Sequence, residues 1–218
     1  GDTVLSAAGT QLAAAHMLGG ASGADYHLEF GYSCMGHELP AGLGVRMAGS
    51  EGEIVVYVGD GTYLLNPTEL LTAAQEGFKV TLVLVENHGF QSIRQLQMDR
   101  DGRPFGNEFR RRGRRSGRLD GPFVDVDLAA NAQSLGARCW RVDTAAALKA
   151  ALCEARQAPG VNVIVAEAAA ADGLPATGGW WDISVAEVSG DAVPRERRRE
   201  YEGQRRRQRY HHHRKDDS

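Results

Sequence analysis

Two continuous runs of β-branched and aliphatic residues, Ile54–Val58 and Val80–Val85, constrain this chain more than any other feature. Neither alternates with polar residues. Each therefore reads as a strand buried on both faces, which belongs in a parallel sheet covered by helices. One helix lies between them. Asn66-Pro67-Thr68-Glu69 offers a capping side chain, a proline at the first helical position and an acid three places after the cap, and Gly77 stops the helix. Strand, helix and parallel strand make a right-handed crossover, so both strands end on the same edge of the sheet.

The rest of the chain extends this unit. Thr3–Ala8 and His27–Phe30 read as strands, Gln11–Met17 as a short helix and Glu38–Met47 as a longer one. Residues 90–123 read as irregular. A helix near Leu128–Leu135, a strand at Arg138–Val142, a helix from Leu148 to Arg156 and a strand at Val161–Ala166 complete the pattern. The expected fold class is α/β: a doubly wound, mostly parallel sheet of about six strands with helices on both faces. One domain over residues 1–175 is expected. A 176–218 segment follows it, carrying Trp180-Trp181 and an Arg-rich tail that reads as a solvated helix with a disordered end.

Composition excludes several classes. The net charge of -3 gives no whole-chain reason to bind nucleic acid, although arginines crowd residues 110–118 and 195–214. Aromatics do not alternate with those arginines, so the first run reads as a solvated loop rather than a stacking platform. Cys34, Cys139 and Cys153 form neither a metal pattern nor an even disulfide set, which favours a reducing cytoplasm. No apolar run approaches the ~20 residues that span a bilayer, so no membrane partner is expected. The chain opens on Thr3-Val4-Leu5-Ser6 without Met or a signal peptide, as a domain cut from a longer polypeptide would.

The chemistry sits at the two strand ends. Ile54–Val58 runs into Gly59-Asp60-Gly61-Thr62, and Val80–Val85 runs into Glu86-Asn87-His88-Gly89-Phe90. The crossover brings Asp60 and Asn87 to one edge, where open α/β sheets bind ligands. A carboxylate, an amide and glycine carbonyls are hard oxygen donors suited to Mg²⁺. Gly59 and Gly61 leave room for backbone N–H groups to approach a phosphate. The alternatives fail: Leu64 stands where a dinucleotide fingerprint needs its third glycine, and no phosphate-loop motif with its lysine occurs. His37 and His88 flank the site and read as polar rim residues.

Gly59-Asp60-Gly61 followed by Glu86-Asn87-x-Gly89 resembles the signature of thiamine-diphosphate (ThDP) enzymes, GDG and then NN. The resemblance implies Asp60, Asn87 and the Gly89 carbonyl as Mg²⁺ ligands. Gly59, Gly61, Thr62 and Phe90 would then lie against the cofactor. Glu86 replaces the first Asn of the pair, while the ligating second Asn is kept. Upstream, Cys34-Met35-Gly36-His37-Glu38-Leu39-Pro40-Ala41 resembles the segment of decarboxylase- and acetolactate-synthase-type members. That match implies that Met35 props the bent cofactor and that the Ser33 carbonyl receives its aminopyrimidine.

The segments His27–Gly36, Val85–Ile93, Ala129–Ala137 and Trp180–Ser189 are similar to the cyclic 1,2-dione hydrolases of bacterial myo-inositol breakdown. This implies ThDP- and Mg²⁺-dependent hydrolysis of a ring C–C bond in a small polyol-derived trihydroxycyclohexane-dione, yielding 5-deoxy-glucuronate. The chain would represent only the cofactor-binding part. The activating glutamate would sit on a pyrimidine-binding domain of the same or a partner chain, so no catalytic acid or base is assigned here, and the full-length enzyme would be a homo-oligomer. Another decarboxylase- or synthase-like ThDP enzyme, or a separately encoded subunit of one, is the alternative. A nucleic-acid-binding module is a third reading.

Overall fold

The computed structural model describes residues 1–6, 23–29, 31–101, 103–169 and 184–207. The expected helix Gln11–Met17, Phe30, Trp180-Trp181 and the end of the tail lie outside these residues. The elements are β1 (Thr3–Ser6), β2 (Asp25–Leu28), α1 (Glu38–Met47), β3 (Ile54–Gly59), α2 (Asp60–Tyr63), α3 (Glu69–Gln75), β4 (Val80–Glu86) and α4 (Gln91–Asp101). They continue with α5 (Leu128–Ser134), β5 (Arg138–Val142), α6 (Ala145–Gln157), β6 (Val161–Glu167) and α7 (Ala192–Arg207).

The six strands form one sheet in the order β2-β1-β3-β4-β6-β5, and every pairing is parallel. The strand order reverses between β1 and β3, which opens a crevice at their carboxyl ends. β4 lies in the middle, and its first five residues are all buried. The sheet carries a core on each face. Leu82 and Leu84 join Leu39, Leu43, Leu70 and Leu128 from α1, α3 and α5 on one face. On the other, Ile164 packs with Ala151 and Ala155 of α6. Burying such a side chain contributes roughly 1.5–3 kcal/mol, so this two-sided packing supplies most of the driving force.

Gly42 lets α1 lie close on the sheet. A Cβ there would sit 2.7 Å from Val56 Cγ2, a stiff β-branched methyl. Gly42→Ala is expected to destabilise the fold by about 1–3 kcal/mol, read as a lower urea midpoint with an unchanged slope.

Three expectations need correction. Residues 90–123 are not uniformly irregular, since α4 occupies Gln91–Asp101. Its Ile93 and Leu96 are more than a third exposed, so no apolar stripe marked it, and Gln, Arg, Leu and Met favour helix by propensity alone. β2 starts and ends two residues earlier than expected, because pairing with β1 runs from Thr3↔Asp25 to Ser6↔Leu28. The helix expected from Asn66 begins at Glu69. Asn66 still bonds back to the Tyr63 carbonyl, and the Thr68 hydroxyl binds Asn66 Oδ1 instead of capping. A smaller shift occurs at α6, where Thr144 caps the helix by accepting from Ala147 N.

The described residues up to Ile93 and from Gly106 to Ala169 form one compact unit, and those from Arg94 to Phe105 and from Ser184 onward form a second. In the second, Arg198 binds the Val185 carbonyl, Glu187 and Glu202, and its guanidinium lies over Tyr201. Among the described residues, no helix is long and apolar enough to cross a membrane.

Candidate functional site

Asp60 opens α2 directly after β3 and is almost wholly buried. Its carboxylate gathers backbone donors from both strand ends. Oδ1 accepts from Gly61 N at 2.6 Å and Gly89 N at 3.1 Å, and Oδ2 accepts from Asn87 N at 3.0 Å. Burial pushes this carboxyl upward, against the lowering effect of those N–H groups. The Asn87 and Asp60 residues thus meet at one rim of the sheet.

Three oxygen-bearing groups converge there. The amide end of Asn87 lies 3.3 Å from Asp60 Oδ1 and 3.0 Å from the Gly89 carbonyl. With nitrogen turned inward, it donates to both. With oxygen turned inward, the three groups would instead present three acceptors to an ion. Among the described residues, no three His, Cys, Asp or Glu side chains cluster as metal ligands. The rim therefore offers hard, mostly neutral oxygen donors.

The surrounding backbone is tightly fitted. The Gly61 α-carbon faces the Phe90 ring, and a Cβ would stand 2.7 Å from it. Tyr63 donates its hydroxyl to Asn131 Oδ1 at 2.7 Å, tying α2 to α5. Gly59 is extended, and Thr62 is buried beside it in the same turn. His88 has φ 63°, and Gly89 has φ 133°. This sharp turn is braced by Asn107–Phe109, where Phe90 N donates to the Asn107 carbonyl and Phe109 N to the His88 carbonyl.

The other expected residues lie on the loop between β2 and α1. Ser33 has φ 53°, and Met35 is 46% exposed, so Met35 is not core. Glu29 accepts from Tyr32 N and Cys34 N, and buried Glu38 accepts from Gly36 N. Neither carboxylate was singled out in the sequence. Glu29 carries no motif, and Glu38 resembles an ordinary first-turn acid.

Two further residues differ from their sequence reading. His88 is no simple rim residue: its ring stacks on Phe123 with centroids 4.3 Å apart. Arg110 lies 3.8 Å over the same Phe123 and pairs with buried Glu108, unlike the exposed Arg111, Arg112, Arg114 and Arg115. His88 also borders a polar cleft of about 630 Å³ at the ends of β4, β5 and β6, with Glu86, Asp127, Arg141, Asp143 and Glu167. Glu86, in the position of the missing asparagine, is turned toward Arg141 there at 3.7 Å.

A sheet whose switch-point rim presents GDGT and ENHG defines a class of cofactor-binding domain. The family model for the C-terminal TPP binding domain of thiamine pyrophosphate enzymes matches residues 7–166, and the chain belongs to that family. The chain is 38% identical over 164 residues to the 3D-(3,5/4)-trihydroxycyclohexane-1,2-dione hydrolase of Geobacillus thermodenitrificans, and 36% to that of Clostridium tetani. Each match covers 75% of this chain but 26% of the relative, so the chain spans about a quarter of the length of these curated relatives. Among solved structures, benzoylformate decarboxylase from Polynucleobacter necessarius superposes with a TM-score of 0.61 at 19% identity, over 78% of this chain and 30% of that one. The 4-hydroxybenzoylformate decarboxylase of Rhodococcus jostii RHA1 gives 0.56 at 22% identity, over 66% and 25%. At these identities the two structures share the fold.

Proposed function

We propose that this chain is the diphosphate- and Mg²⁺-holding domain, residues 1–175, of a ThDP-dependent hydrolase that opens the ring of a cyclic 1,2-dione in inositol degradation. The carrying observation is the convergence of Asp60, the Asn87 amide and the Gly89 carbonyl at the ends of β3 and β4. The substrate class comes from the names of the curated relatives.

In this reading, Asp60, Asn87 and Gly89 hold the ion against the diphosphate. Gly59, Gly61 and Thr62 line the diphosphate, with Phe90 closing the turn behind Gly61. Ser33 and Met35 orient the rings. When bound, ThDP supplies an electron sink for C–C cleavage, while the protein supplies binding, orientation and exclusion of water. No acid or base of this chain moves a proton in the reaction. That role belongs to a pyrimidine-binding domain of the same or a partner chain. The working enzyme is a cytoplasmic homo-oligomer, and residues 176–218 form an accessory segment. Nucleic acid is not a partner.

Calorimetric titration of ThDP with and without Mg²⁺ tests the reading. Binding should depend on the metal and be lost in Asn87→Ala. Equal heats under all three conditions would remove the assignment.

A further inference from the structure

The loop joining β2 to α1 presents every second backbone N–H to a carboxylate. Tyr32 N donates to Glu29 Oε1 at 2.8 Å, Cys34 N to Glu29 Oε2 at 2.6 Å, and Gly36 N to Glu38 Oε2 at 3.1 Å. Between these anchors stand Ser33 and Met35, the two residues read above as facing the cofactor rings. Ser33 adopts φ 53°, which a residue with a Cβ takes up only under constraint. Loop N–H groups turned toward one point bind an anion, and Glu29 supplies that anion from within the chain. The loop is also seated from below. A Cβ on Gly36 would lie 3.6 Å from Leu65 Cβ and 3.9 Å from Asn66 Cβ, and Glu38 shares a small void with Thr62 and Asn66 just past the Gly59–Thr62 turn. Glu38 thus ties the 31–37 loop to the segment that follows the Gly59–Thr62 turn.

We infer that Glu29 and Glu38 are positioning residues: they lock the 31–37 loop so that the Ser33 carbonyl and the Met35 side chain are presented to the aminopyrimidine and thiazolium rings. This rests on the ThDP reading given above. The two carboxylates differ in a way that can be tested. Glu29 uses both oxygens as acceptors, so a glutamine there must turn an NH₂ toward one N–H. Glu38 uses one oxygen on Gly36, so a glutamine keeps that bond. The lock acts on the ring end of the cofactor and leaves the metal–diphosphate end alone.

The experiment uses the assembled holoenzyme stripped of cofactor, titrated with Mg²⁺–ThDP and, separately, with Mg²⁺–pyrophosphate, which lacks the rings. Glu29→Gln and Glu38→Ala are expected to weaken ThDP binding by at least about tenfold, as misplacement of a positioning group does. Glu38→Gln should bind like the wild type. All three should hold pyrophosphate normally. Unchanged ThDP affinity in Glu29→Gln and Glu38→Ala overturns the lock. So does parallel loss of pyrophosphate binding, or failure of glutamine to rescue position 38. If the wild type itself binds neither ligand, the ThDP reading fails and the lock goes with it.

Discussion

Asp60→Asn is expected to abolish the magnesium-dependent part of ThDP affinity, by at least about a hundredfold, or ~2.7 kcal/mol. The substitution keeps shape and removes the only formal negative charge among the three converging groups. A dipositive ion would then face an amide, an amide and a carbonyl, with no anionic protein ligand to offset the loss of its hydration. A second consequence follows from the hydrogen bonds. Both Asp60 oxygens accept N–H donors, from Gly61, Asn87 and Gly89. An asparagine must therefore turn its NH₂ toward one of them, leaving a buried donor unpaired at a cost of about 1–3 kcal/mol. The variant should melt earlier than the wild type yet remain folded, and its residual ThDP binding should no longer respond to Mg²⁺. Retained magnesium dependence in a folded Asp60→Asn protein would place the ion elsewhere and remove the proposed function.

The fold was legible wherever one chemical signal dominated. β4 fulfils its uninterrupted apolar run, since its first five residues are all buried, whereas β3 alternates buried and half-buried residues, so its β-branched run overstated the cover on its second face. Asp60 and Asn87 could be brought together from the sequence because a single right-handed crossover admits one arrangement of parallel strand ends. The less legible parts follow from the same physics. α4 has no buried stripe, so apolar periodicity was silent there. Arg110 sits in a run of arginines, but only Arg110 has Glu108 beside it and Phe123 beneath it. That selection depends on the antiparallel bridges Gly89↔Glu108 and Arg110↔Phe123, which no local pattern announces. Glu29 and Glu38 were invisible for a related reason. Their partners are backbone amides, which every residue but proline carries, so side-chain identity in the loop says nothing about them.

The turn that supports the site should be far less tolerant than its weak motif implies, and Gly89→Ala is the substitution that exposes this. A Cβ at Gly89 would stand 2.3 Å from the Asn107 carbonyl oxygen and 2.9 Å from Glu108 Cα. Both are backbone atoms, so no side chain can rotate aside. The φ of 133° adds strain of roughly 1–3 kcal/mol for a residue with a side chain. Forcing the bracing segment outward adds about 1–3 kcal/mol more. Relief can come only from parting the turn from residues 107–109. That breaks the bonds from Phe90 N to the Asn107 carbonyl and from Phe109 N to the His88 carbonyl, and it shifts the carbonyl proposed to hold the ion. Gly77→Ala is the matched control, with φ 67° but nothing within 4 Å of its added Cβ. It carries the backbone strain without the collision. At ~2–4 °C of melting temperature per kcal/mol, Gly89→Ala should melt several degrees below Gly77→Ala and lose metal-dependent cofactor binding, which Gly77→Ala keeps. Equal melting temperatures would show that the 107–109 brace yields freely, and the rigid carbonyl geometry on which the proposed ion site depends would fall with it.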